Sequence, residues 1–166
     1  FYGRKRMENS QLHYKANTFY TSYIENLGNN KFAVKQMPNE MQVSSTFGIV
    51  VMDINQDGNL DMVSHGNFYE TEIETNTQDA GIGNVMLGNG DGTFTNLPAR
   101  YSGFYSAANA KSLAIIRVGS AKAPYLLTTN SNGPVEAFKC LNTNQTVAIM
   151  PSDAYAIITY ADGKKR

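Results

Sequence analysis

The sequence predicts an all-β chain: about two four-stranded antiparallel blades of a β-propeller with parts of their neighbours, a fragment of a larger propeller. Three observations lead there. Short apolar or aromatic runs alternate with Asn, Gly and Asp punctuation throughout. Helical periodicity is weak, with room for a single turn at 106–111 and another at 146–156. Two features recur at 60 to 64 residues: the pairs Leu27-Gly28 and Leu87-Gly88, and the runs that begin at Gly48 and Ser112. About four short strands in such a period is the size of a propeller blade.

The elements follow in chain order. Residues 1–40 are read as the end of a preceding blade, its outer hairpin formed by strands at 19–25 and 32–36. Residues 41–100 form a first blade, with strands at 47–52, 60–65, 82–87 and 93–96. Residues 101–150 form a second, with strands at 111–117, 124–129, 134–139 and 146–150. Residues 151–166 begin a further β segment, with a strand at 154–160. Leu27-Gly28-Asn29-Asn30 and Gly88-Asn89-Gly90-Asp91-Gly92 supply the positive φ angles that tight hairpins need. A long polar insertion, 66–81, is expected to be a surface loop.

Composition narrows the function classes. With 14 Lys and Arg against 14 Asp and Glu, the formal charge is zero, which argues against a nucleic-acid binder that works through a basic surface. Only the ends, Arg4-Lys5-Arg6 and Lys164-Lys165-Arg166, are locally basic. Cys140 is the single cysteine, so no intrachain disulfide framework exists. No apolar run approaches the roughly 20 residues of a membrane span. The chain opens at Phe1 and closes in a strand and a turn, and is read as an internal piece of a longer protein.

The strongest chemical signal is Asp53-Ile54-Asn55-Gln56-Asp57-Gly58-Asn59-Leu60-Asp61. Asp53, Asn55, Asp57 and Asp61 bring side-chain oxygens at positions 1, 3, 5 and 9, and Asn59 can add its backbone carbonyl at position 7. Gly58 permits the sharp turn that lets them converge. Hard oxygen ligands on a loop, completed by water, suit Ca²⁺. The alternative is a solvated Asp/Asn turn. An EF-hand is disfavoured: position 12 is Ser64 rather than Glu, and the flanks read as strands, not helices. A dockerin-like loop fails on the same residues.

Phe47-Gly48, the loop 53–61 and Leu87-Gly88-Asn89-Gly90-Asp91-Gly92-Thr93-Phe94 together resemble the FG-GAP/VCBS repeats of integrin-α-type β-propellers. The segment Ser22-Tyr23-Ile24-Glu25-Asn26-Leu27-Gly28 is similar to one in large VCBS-repeat proteins of the Bacteroidetes. The resemblance covers about 20–150. It implies a bacterial surface or periplasmic propeller, calcium held at blade edges, and a binding or scaffolding role. It names no ligand.

The second repeat departs from this pattern. The 64-residue offset sets Arg117 at Asp53, Gly119 at Asn55, Ala121 at Asp57, Lys122 at Gly58 and Tyr125 at Asp61. No acidic ligand remains. Either Arg117 or Lys122 replaces the ion by holding turn carbonyls, or the loop has decayed and its cations are solvated.

Other residues give weaker signals. His13 and His65 are the two histidines, and His65 is expected to be a structural edge residue. Asp91 is expected to form a turn, Cys140 to be a small buried hydrophobe, and Glu70, Glu72, Glu74 and Asp79 to be a solvated acidic patch. Asn144-Gln145-Thr146 is a sequon of the kind that arises by chance. The expected function is a non-catalytic, calcium-binding module of the cell surface, envelope or periplasm, for adhesion, assembly or protein or glycan binding. Its first partners would be the rest of its parent chain or copies of itself. The alternative is part of a propeller-fold hydrolase or lyase whose active site lies elsewhere. No nucleophile–base pair in the sequence supports that alternative.

Overall fold

The computed structural model describes residues 14–120, 122–141 and, further on, 151, 152, 154, 155, 157, 159, 163 and 165. His13, Ala121, the sequon at 144–146 and the strand expected at 146–150 lie outside them. So does much of the strand expected at 154–160, of which Thr159 forms an isolated antiparallel bridge with Lys165.

The described chain is all-β and makes three antiparallel sheets. Strands β1 (Ser22–Gly28) and β2 (Lys31–Gln36) form a hairpin. Strands β3 (Gly48–Met52), β4 (Asp61–His65), β5 (Asn84–Gly88) and β6 (Phe94–Leu97) form a four-stranded meander in chain order. Strands β7 (Ala110–Val118), β8 (Ala123–Asn130) and β9 (Glu136–Lys139) form the third sheet. A 3₁₀ turn lies at Asn39–Gln42 and a one-turn helix, α1, at Ala99–Ser102. No helix among the described residues is long and apolar enough to cross a membrane.

The turns follow from residue chemistry. Asn29 and Asn30 take φ of 51° and 57°, the two left-handed residues of a type I′ hairpin. The turn after β5 uses Gly90 and Gly92 at 80° and 77°, and Asp91 Oδ1 accepts the Thr93 amide at 2.8 Å. Asp91 is therefore the turn former the sequence implied. The helical turn expected at 106–111 is absent: Ala110 already starts β7. The turn forms earlier, between Pro98 and Gly103, whose φ of 72° closes it.

Strand alternation puts the two faces of the middle sheet to different uses. Val63 and Val85, paired across β4 and β5, pack with Phe104, Leu113 and Leu126 against the third sheet. Met62 and Met86, the neighbouring pair, face the other way, where Met86 joins Met37 and Met41 beneath Tyr23 and Phe94. Each fully buried apolar side chain contributes about 1.5–3 kcal/mol. At the first seam Gly48 lies against the backbone of Leu113 so closely that a Cβ there would come within 3.0 Å of it.

The 64-residue offset reappears in the pairing. Gly48↔His65, Ile49↔Ser64, Val50↔Val63, Val51↔Met62 and Met52↔Asp61 map onto Ser112↔Thr129, Leu113↔Thr128, Ala114↔Leu127, Ile115↔Leu126 and Ile116↔Tyr125. All five pairs hold the same register. Beyond them the sheets part. In the third sheet the ladder continues through Arg117↔Pro124 and Val118↔Ala123. In the middle sheet it stops at Met52↔Asp61, and 53–60 opens into a loop.

Candidate metal loop

The loop opens because its acidic side chains take the amides that a ladder would use. Asp61, the first residue of β4, is fully buried. Its Oδ2 accepts the Ile54 amide at 2.7 Å and its Oδ1 accepts the Gly88 amide, at the end of β5, at 2.8 Å. Asp53 Oδ2 accepts from the Gly58 amide at 3.0 Å. Asn55 Oδ1 accepts from Asp57 N at 3.1 Å, and Asp57 Oδ1 from Asn59 N at 2.7 Å. Asp57 Oδ2 also accepts from Asn55 Nδ2 at 2.9 Å. The Asn59 and Asn55 bonds hold the Asp57 carboxyl below its usual pKa, so it is ionised at neutral pH.

Two glycines let β5 and its turn approach. A side chain at Gly88 would strike the Leu60 carbonyl, and one at Gly90 would strike Asn59 Oδ1. Gly58 has a φ of 88° and open space around it, so its requirement is conformational alone.

Asp53, Asn55, Asp57 and Asn59 thus belong to one wound turn, with Asp61 anchoring its floor. As the side chains stand, no three His, Cys, Asp or Glu among the described residues form a group that could hold a metal ion. The donors nevertheless suit a hard cation in kind: carboxylates, one amide oxygen and a backbone carbonyl. Each hydrogen bond that a carboxylate accepts here occupies one of its about four acceptor sites.

In the third sheet, Lys122 N bonds Gly119 O at 3.1 Å, and Arg117 Nη1 lies 3.5 Å from Lys122 O. That exceeds the distance of a firm hydrogen bond, so Arg117 leans on the turn more than it pins it.

The expected solvated patch in the 66–81 segment is partly tied down. Glu70 pairs with Lys111 at 2.7 Å and accepts from Asn109 Nδ2 at 2.8 Å. The Lys111 bond, with help from Ser131, brings its carboxyl pKa down to about 2. Lys111 also sits over the rings of Phe47 and Phe68, 4.9 and 5.1 Å from their centroids. The neck of the segment is closed by Asn67, fully buried, whose Nδ2 donates to Gly81 O and Ala108 O, both at 2.9 Å. Its Oδ1 accepts from Gly81 N at 2.9 Å and Ser44 Oγ at 2.7 Å. A bridge between Phe68 and Gln78 completes the closure.

His65 is buried, not at an open edge, and bonds Ser106 at 2.8 Å across 41 residues of sequence. Nothing local in the sequence marks Ser106 as its partner. Cys140 is half-buried against the first core cluster, and burial pushes its thiol pKa up.

Comparison with protein-family models, with curated proteins and with solved structures gives no match.

Proposed function

We propose that the chain is a calcium-stabilised, non-catalytic part of a β-propeller of the FG-GAP/VCBS kind, working at a bacterial surface or in the periplasm as a binding or assembly module. The observation that carries the reading is the pairing of β3 with β4, repeated residue for residue by β7 with β8 at a 64-residue offset. Two consecutive units that share a register are what a blade repeat requires. The acidic loop sits at the edge of one unit and is replaced in the other by a short tight turn.

Calcium would be held by Asp53, Asn55, Asp57 and the Asn59 carbonyl, with Asp61 fixing the loop from below. Its chemistry there is structural: it neutralises carboxylates crowded on one turn. Incompleteness supports a larger assembly. The β3–β4 face turned towards the first hairpin carries exposed Ile49 and Val51 over a cleft of about 890 Å³. The rest of a parent chain, or copies of this one, would cover that face.

The test is calcium calorimetry with thermal unfolding. Calcium should bind with a Kd of about 10⁻⁴ to 10⁻³ M, the range of extracellular modules. It should raise Tm by mass action, and chelator or Asp57→Ala should remove that rise. No binding heat, with Tm indifferent to calcium, would return the loop to a solvated turn.

A further inference from the structure

The seam between the middle and third sheets holds a buried chain of polar groups apart from the acidic loop. His65 ends β4 and is 2% exposed; Ser106, in the segment leading to β7, is 1% exposed. The Gly66 amide donates to His65 Nδ1 at 2.9 Å. Nδ1 is therefore the ring's acceptor, and the proton of the neutral ring is on Nε2. That N–H meets Ser106 Oγ at 2.8 Å, and the Ser106 hydroxyl donates to Glu136 Oε2 on β9. Glu136 Oε2 also accepts from Asn130 Nδ2 at 3.0 Å. Every donor points the same way, from the backbone after β4 to a carboxylate on β9. These roles exclude general-base work on Ser106, because Nε2 already carries a proton.

We propose that His65 is a proton-operated latch: neutral, it ties β4 to β9 through Ser106, and on taking a proton at Nδ1 it releases the seam. A protonated Nδ1 would face the Gly66 N–H, donor against donor. The backbone has no room to step aside. A Cβ at Gly66 would collide with the backbones of Ser45 and Phe47, and Phe47 N is bonded to His65 O at 3.1 Å. The ring must move instead, and Ser106 loses its donor. The core residues Val63, Val85, Leu113 and Leu126 pack across the same seam, so the release is a local opening and not unfolding.

The groups around the ring set the direction of its titration. Burial disfavours the imidazolium and lowers its pKa, and the charge of Glu136 raises it in part. The 103–109 segment brings the Phe104 ring and Ser106, β3 brings the backbone of Gly48, and β8 brings Thr128 and Asn130 beside Glu136; all of these are uncharged. With the folded pKa below the unfolded one, the unfolded chain takes the proton first. The latch's contribution is full above the ordinary histidine value of about 6.5 and is lost as pH falls from there through the folded pKa.

The test uses the full chain with saturating calcium, which keeps the carboxylates of the 53–61 loop in one state. His13→Gln leaves His65 as the single histidine for ¹⁵N NMR. The expected result is an Nε2-protonated ring at pH 7.5 and a midpoint below about 6.5. Hydrogen exchange, corrected for its intrinsic pH dependence, should lose protection about tenfold or more between pH 7.5 and 5 at the Ser106 amide, which donates to Ile82 O, and along 136–139. His65→Gln should abolish that pH dependence. An Nδ1-protonated ring, a midpoint at or above the ordinary value, or seam protection that does not change with pH would overturn the proposal. So would the same loss of protection in His65→Gln. If that variant does not fold, the tautomer and the exchange profile of the His13→Gln protein decide alone.

Discussion

Gly58 and Lys122 stand 64 residues apart at the same place in two strand-to-strand connections, and both take left-handed backbone conformations, at φ of 88° and 49°. The acidic loop uses a glycine for this; the tight turn manages with a lysine, at a conformational cost.

Substitutions at the two positions should therefore act in opposite directions. Gly58→Ala meets nothing within 4 Å, so its cost is backbone strain alone, about 1–2 kcal/mol. Lys122→Gly should stabilise by about 0.5 kcal/mol, relief of strain being partly offset by glycine's greater freedom when unfolded. Urea unfolding of both variants in chelator checks the signs.

Asp61 and Asp57 should separate structure from metal. Asp61→Asn sets an NH₂ group against one of two backbone N–H donors in a buried site, costing about 1–3 kcal/mol or more with or without calcium. Asp57→Ala should matter chiefly when calcium is present. Thermal melts of each variant in calcium and in chelator give the comparison, and equal calcium dependence in both would assign Asp61 to the ion as well.

Gly48→Ala should strain the first seam. Its Cβ would collide with the backbone of Leu113, and overpacking of this kind costs about 1–3 kcal/mol. Gly119→Ala, with open space around it, should cost only its left-handed strain at a φ of 72°. Exchange protection along β7 should fall in the first variant and hold in the second.

Asn67→Ala removes four hydrogen bonds from a fully buried side chain and leaves the Gly81 and Ala108 carbonyls without this donor. A loss of about 3 kcal/mol or more is expected, with earlier proteolytic cutting within 66–81. Limited proteolysis followed by mass spectrometry locates the cut.

Glu70 should stay ionised in acid down to about pH 2, because Lys111 and Ser131 hold its charge. Its folded pKa is depressed, so the stability it adds is present above the usual carboxyl value and is lost as pH falls through about 2. Lys111→Gln should return the carboxyl towards its ordinary pKa. Carbonyl-carbon NMR titration reads both.

The strands were legible because their signals are local. Alternation and Asn/Gly turns place β3 at 47–52 against Gly48–Met52 and β8 at 124–129 against Ala123–Asn130. The register shared by the two units could be read from the spacing of Gly48 and Ser112. What escaped depends on partners far along the chain. Ser106 reaches His65 over 41 residues and Glu136 over 30, and no short window contains both ends. Spacing marks Asp61 as a candidate ligand, but its hold on Ile54 and Gly88 exists only once β5 is beside β4. The helical turn between Pro98 and Gly103 did carry a signal, a proline before and a glycine after, hidden by the shortness of the segment between them.

The clasp at Asn67 makes the excursion beyond it a port in the fold. With the ends of 66–81 fastened to each other, β4 and β5 need no help from the tip to keep their pairing. Doubling a flexible loop costs only about 0.6 kcal/mol in closure entropy. At the tip, Ile73 is fully exposed. The third sheet joins its equivalent strands, β8 and β9, with 131–135 alone, so a sheet of this design asks for nothing longer. A reporter peptide, an epitope or a new recognition sequence can be spliced between 72 and 77, and the four-stranded sheet beneath it need not change.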